Sequence, residues 1–179
     1  KIPLVLYLLR EKTYKSVLIF CSSKINVKQL ARDLKRSGIN AGEIHSDLEQ
    51  DSRENILMKF KSGQLPVLVA TDILSRGIDI DNIDLVINFD VPHDGEDYVH
   101  RIGRTARAEA EGSAYTLVSV KEQKKFYQIE QFLAKEVSKI KLPDGIGVQP
   151  EYTPSTNNSG PSGKKNRKPG RNKHSFRGR

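Results

Sequence analysis

The sequence predicts an α/β fold: an open, mainly parallel sheet of five or more strands with helices on both faces, over residues 1–140. Three observations predict it. Short runs that are apolar throughout, such as SVLIFC (16–21) and VLVA (67–70), alternate with segments of helical periodicity. Such strands are buried on both faces, and strands of that kind joined by helices form parallel sheets. Charge is also segregated. Residues 164–179 hold eight Lys/Arg and no Asp/Glu, so the rest of the chain balances 22 basic against 22 acidic residues and the tail carries the whole +8. A neutral body and a basic, Gly-, Asn- and Pro-containing tail at 141–179 are expected, the tail disordered because it cannot bury enough apolar surface to offset its ordering entropy.

The elements follow in order. IPLVLYLLREK is amphipathic and opens directly on the fold, as in a piece of a longer protein. SVLIFC reads as a first buried strand. KINVKQLARDLKRSG places Ile25, Val27, Leu30, Ala31 and Leu34 near helical spacing, with Gly38 as a stop. AGEIH is a short second run. DSRENILMKFKSG sets Ile56, Leu57 and Phe60 on one face and ends at Gly63. VLVA and DLVINF (84–89) are further buried strands. YVHRIGRTAR is expected to be helical, GSAYTLVSV (112–120) a strand, and VKEQKKFYQIEQFLAK a closing amphipathic helix.

Composition excludes several classes. Cys21 is the only cysteine, so no disulfide framework or cysteine-rich zinc site can form within the chain, which fits a reducing cytoplasm. No apolar run approaches the length of a membrane span, and no secretory leader pattern opens the sequence.

Ligands in open parallel sheets bind beyond the C-terminal strand ends. Polar residues collect there: Ser22 and Ser23 after the first strand, His45 to Arg53 after the second, Thr71 and Asp72 after the third. Gln50 and Arg53 stand at the expected start of a helix, where backbone N–H groups and a guanidinium together suit an anion. In ATDILSRGIDI, residues Thr71, Asp72, Arg76, Gly77 and Asp79 crowd one loop, with Gly77 allowing close backbone approach. The adjoining DIDNID lacks the glycine and distal glutamate of a calcium loop.

HRIGRTAR (100–107) is the most cationic stretch of the body. On a helix through 98–107, His100, Arg104 and Arg107 share a narrow arc, with Tyr98, Val99 and Ile102 on the opposite, core-facing side. Neighbouring like charges on a helix repel by about a few tenths of a kcal/mol per pair, which a bound anion would relieve. No GxxxxGK[ST] loop, metal-ligand spacing or G-x-S-x-G elbow is present. A self-contained nucleotide hydrolase is therefore not written here. A domain that completes a nucleotide site carried elsewhere is.

In this order and at these intervals, SVLIFCSSK, the Gln50-x-x-Arg53 pair, VLVATDILSRGIDI, INFDVP and YVHRIGRTAR closely resemble the C-terminal RecA-like domain of DEAD-box RNA helicases. The likeness covers about residues 1–135. His100 opens the last motif, where DEAH-type and RecQ-type helicases usually carry glutamine. The basic tail is similar to that of bacterial members of the RhlE type.

The resemblance implies a half-enzyme. Arg104 and Arg107 would be arginine fingers reaching ATP, which with its magnesium is held mainly on an N-terminal RecA-like domain. Asp79 would contact the ribose, and Gly77 would border the nucleotide. Arg76 would help the two domains close, while His100 and Arg101 would couple to the other domain's acidic motif. Ser23, Arg53 and Thr71 would hold RNA backbone phosphates. Ala106 departs from the more usual glycine, and Ser22-Ser23 from a pair ending in threonine. RNA and the N-terminal domain are the implied partners. A stand-alone RNA-binding or annealing module without ATPase activity is the alternative, and a DNA helicase domain is disfavoured by the last motif.

Overall fold

The computed structural model describes residues 1–72, 80, 82–105 and 112–154. The elements are α1 (Ile2–Glu11), β1 (Val17–Phe20), α2 (Lys24–Arg36), β2 (Ala41–Ile44), α3 (Gln50–Lys61), β3 (Val67–Ala70), β4 (Leu85–Asn88), α4 (Gly95–Ile102), β5 (Ser113–Thr116) and α5 (Gln123–Leu133). The five strands form one sheet in the order β2-β3-β1-β4-β5, and every neighbouring pair is parallel. This is the RecA-like arrangement.

Alternation along the central strands divides the core in two. Val17, Ile19, Val67, Val69, Leu85 and Ile87 face α1 and α2, meeting Val5, Leu8, Val27, Leu30 and Leu34. Leu18, Phe20, Leu68, Ala70 and Val86 face the other way, toward Phe60 of α3 with Leu65 and Ile83. Burial on both sides of one sheet explains why these strands are apolar at every position. A third cluster, Val91, Tyr98, Phe126 and Ile129, joins α4 to α5.

Several boundaries differ from the sequence expectation, each for a local reason. Ile25 is exposed, unlike Val27, Leu30, Ala31 and Leu34, because it lies in the first turn of α2 beyond the edge of the core. The run 112–120 is a strand only over Ser113–Thr116. Ser119 and Glu122 then form a capping box that turns the chain into a short 3-10 turn before α5. The helix expected through residue 107 ends at Ile102. Gly103 N–H bonds the Val99 carbonyl at 2.8 Å, and the Thr105 hydroxyl donates to the Ile102 carbonyl at 2.8 Å, closing the last turn. Thr105 then bridges Ile83 beside the sheet. Arg104 therefore leaves α4 and does not continue the His100 arc. The inward face of α4 is the expected one at Tyr98 and Ile102, but Arg101 is buried with them, whereas Val99 is 43% exposed. Positions three apart share a helix face, and residue 99 is rotated off it.

The segment 142–154, expected to be disordered, instead folds back onto α5. The Gln123 side chain bonds both the Glu151 carbonyl and the Thr153 N–H, at 2.6 and 2.9 Å. Tyr152 donates its hydroxyl to Glu130 at 2.7 Å and packs edge-on against Phe126. Glu130 also accepts the Val137 N–H at 2.8 Å and pairs with Lys139, so a nearly buried carboxylate has three donors around it. Hydrogen bonds to Gln123 and Glu130 and the single aromatic anchor Tyr152 hold this polar stretch in place. The rest of the expected tail, 155–179, lies outside the described residues.

Candidate functional site

The site is the edge formed by the C-terminal ends of β1, β2, β3 and β4. Ser23 caps α2: its hydroxyl oxygen accepts the Asn26 N–H at 3.2 Å, which leaves the hydroxyl proton available to an acceptor. Beside it, Asp90 collects the Ser22 N–H at 2.8 Å, the Ser22 hydroxyl at 3.0 Å and the Asn26 amide at 3.0 Å. Burial alone would raise this carboxyl. The three hydrogen bonds, with the Lys1 ammonium nearby, outweigh it and hold Asp90 below the usual carboxylate range.

At the end of β2 and β3 the chain is cross-linked. Thr71 N–H donates to the Ile44 carbonyl at 3.3 Å, and the Asp47 N–H donates to His45 Nδ1 at 3.2 Å. Arg53, in the first turn of α3, turns back so that Nη2 approaches the Leu48 carbonyl at 3.5 Å. Two buried polar atoms here have no hydrogen-bond partner among the described residues: Thr71 Oγ1 and Arg53 Nε. Thr71 is only 9% exposed. Buried polar groups are normally paired, and leaving one unpaired costs about 1–3 kcal/mol. A hydroxyl just after β3 and a guanidinium N–H in the first turn of α3, both without a partner among the described residues, suit an oxyanion from outside the chain.

Lys24 and Lys28 of α2 contact opposite oxygens of Asp47, at 2.8 and 2.9 Å. The two ammonium groups hold the Asp47 carboxyl well below the ordinary range. None of these three residues was singled out in the sequence. The visible signal was two lysines four apart just after the capping serine.

Arg101 corrects the sequence expectation most directly. It points into the body instead of toward a second domain, and its relative exposure is 0%. Its Nε and Nη2 bond the two Asp72 oxygens at 2.6 and 2.7 Å, while Nη1 bonds Asn88 Oδ1 at 3.1 Å and the Asp90 carbonyl at 3.2 Å. The guanidinium also lies 5.0 Å from the Phe20 ring centroid. One side chain thus ties α4 to the ends of β1, β3 and β4. Arginine tolerates this burial because each of its three nitrogens is hydrogen-bonded and two of the bonds go to a carboxylate. His100, the preceding residue, is exposed on the outer face of α4. Arg104 follows in the turn after α4, its carbonyl accepting the N–H of Ile83, just before β4, at 3.1 Å. Arg76, Gly77, Asp79 and Arg107 lie outside the described residues. Among the described residues no group of three or more His, Cys, Asp or Glu is placed to hold a metal ion. No described helix is long and apolar enough to cross a membrane.

Comparison with known proteins gives the same architecture a family. The family model "Helicase conserved C-terminal domain" matches residues 1–109. "ATP-dependent RNA helicase DbpA" of Bacillus subtilis is 40% identical over 155 residues, 85% of this chain and 32% of the relative. The chain therefore spans about a third of the length of that relative. Among solved structures, the Escherichia coli DEAD-box protein SrmB, in complex with regulator of ribonuclease activity A, superposes with a TM-score of 0.77 at 31% identity, covering 85% of this chain and 89% of that one. The C-terminal domain of the DEAD-box protein Dbp5 superposes with a TM-score of 0.68 at 30% identity, covering 74% of this chain and 77% of that one. The all-parallel five-stranded sheet, the strand-end site and these matches agree: the chain belongs to the helicase C-terminal domain family, in its DEAD-box branch.

Proposed function

We propose that this chain is the second, C-terminal domain of an ATP-dependent RNA helicase, closing on an N-terminal RecA-like domain of the same protein. RNA backbone phosphates are held at the strand ends by Ser23, Arg53 and Thr71. The single observation that carries this reading is the pair of buried polar atoms, Thr71 Oγ1 and Arg53 Nε, that have no partner among the described residues. Contacts of this kind read phosphate and not base, so binding is indifferent to sequence.

ATP and its magnesium sit mainly on the other domain. This chain contributes Arg104, with Arg107, Asp79, Gly77 and Arg76 beyond the described residues. Phosphoryl transfer is driven largely by charge stabilisation at the transition state, and a guanidinium brought in by a second domain supplies that when the domains meet. His100 couples to the N-terminal domain, a role that its exposure on the outer face of α4 supports. Arg101 acts from behind, holding α4 to the strand ends. The basic tail supports a bacterial RhlE-type member, working in the cytoplasm and tethering RNA.

The test uses the full-length protein. Arg104→Ala should lower ATPase kcat by about 10³–10⁵ while leaving nucleotide-free RNA binding nearly unchanged. The 179-residue chain alone should show no RNA-stimulated ATP hydrolysis. Equal loss of RNA binding and ATPase in Arg104→Ala would identify a plain RNA-binding patch instead.

A further inference from the structure

We infer that Lys24 and Lys28 form an additional RNA-phosphate position, which the Asp47 carboxylate occupies until a phosphate displaces it. This rests on the reading of the strand-end edge as an RNA backbone site. The two lysines lie one turn apart on α2 and grip opposite oxygens of one carboxylate, at 2.8 and 2.9 Å. All three side chains are open to solvent: Lys24 is 50%, Lys28 42% and Asp47 40% exposed. A phosphodiester presents the same unit charge and two free oxygens that a carboxylate does. Two exposed ammonium groups that bind opposite oxygens of a carboxylate suit the two free oxygens of a phosphodiester in the same way.

Its location is what makes the exchange meaningful. Ser23 caps the helix that carries both lysines. Asp47 is tied through its N–H to His45, which follows Ile44, the acceptor of the Thr71 N–H. On the other side Leu48 receives Arg53. The lysine pair thus stands among all three proposed phosphate-holding residues. An ion pair this exposed contributes little to stability, because water and salt screen it, so breaking it to admit a phosphate is inexpensive. Two ammonium groups on one carboxylate also leave one positive charge uncompensated, which favours an incoming anion.

The exchange has a signed signature. Each phosphate neutralised on a single strand steepens the slope of log K against log salt by about 0.7, equivalent to about fivefold in affinity at 0.1 M salt. The measurement is binding of a fluorescein-labelled oligouridine to the full-length protein, with a non-hydrolysable ATP analogue, across a salt series. Lys24→Ala/Lys28→Ala should weaken binding by about fivefold at 0.1 M salt and flatten the slope by about 0.7, the loss of one phosphate position. Asp47→Asn should move the other way, tightening binding several-fold at low salt, with the gain fading at high salt. A pair that merely staples the β2 loop to α2 would give wild-type affinity and slope in the lysine variant, or unchanged or weaker binding in Asp47→Asn; either result overturns the inference. Arg53→Ala is measured alongside. If it weakens binding while the lysine variant does not, only the exchange is wrong. If it too leaves affinity unchanged, the RNA edge itself fails and the inference falls with it.

Discussion

Arg101 and Asp72 meet through two parallel hydrogen bonds, Nε to Oδ1 at 2.6 Å and Nη2 to Oδ2 at 2.7 Å, with the arginine fully buried and the aspartate 36% exposed at the end of β3. This pair joins the loop after β3 to α4, the two segments that carry Thr71 and His100.

Removing one member of such a pair leaves a buried charge or an empty slot. Arg101→Ala should cost about 3–5 kcal/mol in chemical denaturation, and Arg101→Lys should not restore it, because an ammonium lacks the planar donors. Asp72→Asn should cost a comparable amount, since it leaves the fully buried guanidinium without its counter-charge. A midpoint for Arg101→Ala close to wild type would show that the buried network contributes nothing to stability.

Thr71 should separate stability from function. Its hydroxyl has no partner among the described residues, so Thr71→Val, of nearly the same shape, should leave the denaturation midpoint unchanged or slightly raised. RNA affinity of the full-length protein in the nucleotide-bound state should fall nonetheless, equally for oligonucleotides of different sequence. A loss that depended on base identity would contradict backbone recognition.

Glu130 holds the fold-back segment. Burial pushes its carboxyl up, but Lys139, the Tyr152 hydroxyl and the Val137 N–H outweigh that and hold it below the ordinary value of 4.5. A depressed folded value means the stabilisation is complete above the unfolded value and is lost as pH falls through the folded one. Thermal stability of the isolated domain should therefore be level near neutrality and decline below about pH 4.5. Glu130→Gln should lower the neutral-pH Tm and flatten the acid decline. A variant retaining the full acid dependence would place that titration on other carboxylates, Asp90 and Glu122 first, both of which are also held low.

Two truncations should behave differently. Ending the chain after Pro154 removes the basic run but none of the contacts of Glu151, Tyr152 and Thr153. Stability should be unchanged, while RNA binding by the full-length protein loses roughly 3–6 units of salt slope if four to eight tail charges engage phosphates. Ending it after Leu142 should in addition lower Tm. Identical salt slopes with and without 155–179 would show that the basic run does not hold RNA.

What the sequence determined by itself was the repetitive part of the molecule. Runs such as VLIF and VLVA can only be buried on both faces, and the periodic segments between them can only cross over as helices, so the parallel sheet and the polar edge beyond its strand ends followed from local patterning. Ser23, Arg53 and Thr71 were legible for the same reason: each is the polar residue that ends a strand or starts a helix. What only the tertiary structure decided were contacts between residues distant in the chain. Whether Arg101 faces water or the core depends on Asp72 and Asn88, which lie 29 and 13 positions away. The turn at Gly103, which separates Arg104 from the His100 face, is fixed by hydrogen bonds and by the bridge from Thr105 to Ile83. The ordering of 142–154 depends on Glu130 accepting from Tyr152, and on Gln123 donating to Glu151 and accepting from Thr153, in a segment whose composition alone reads as loose chain. Charge and polarity are visible in a sequence; which charge meets which is set by packing.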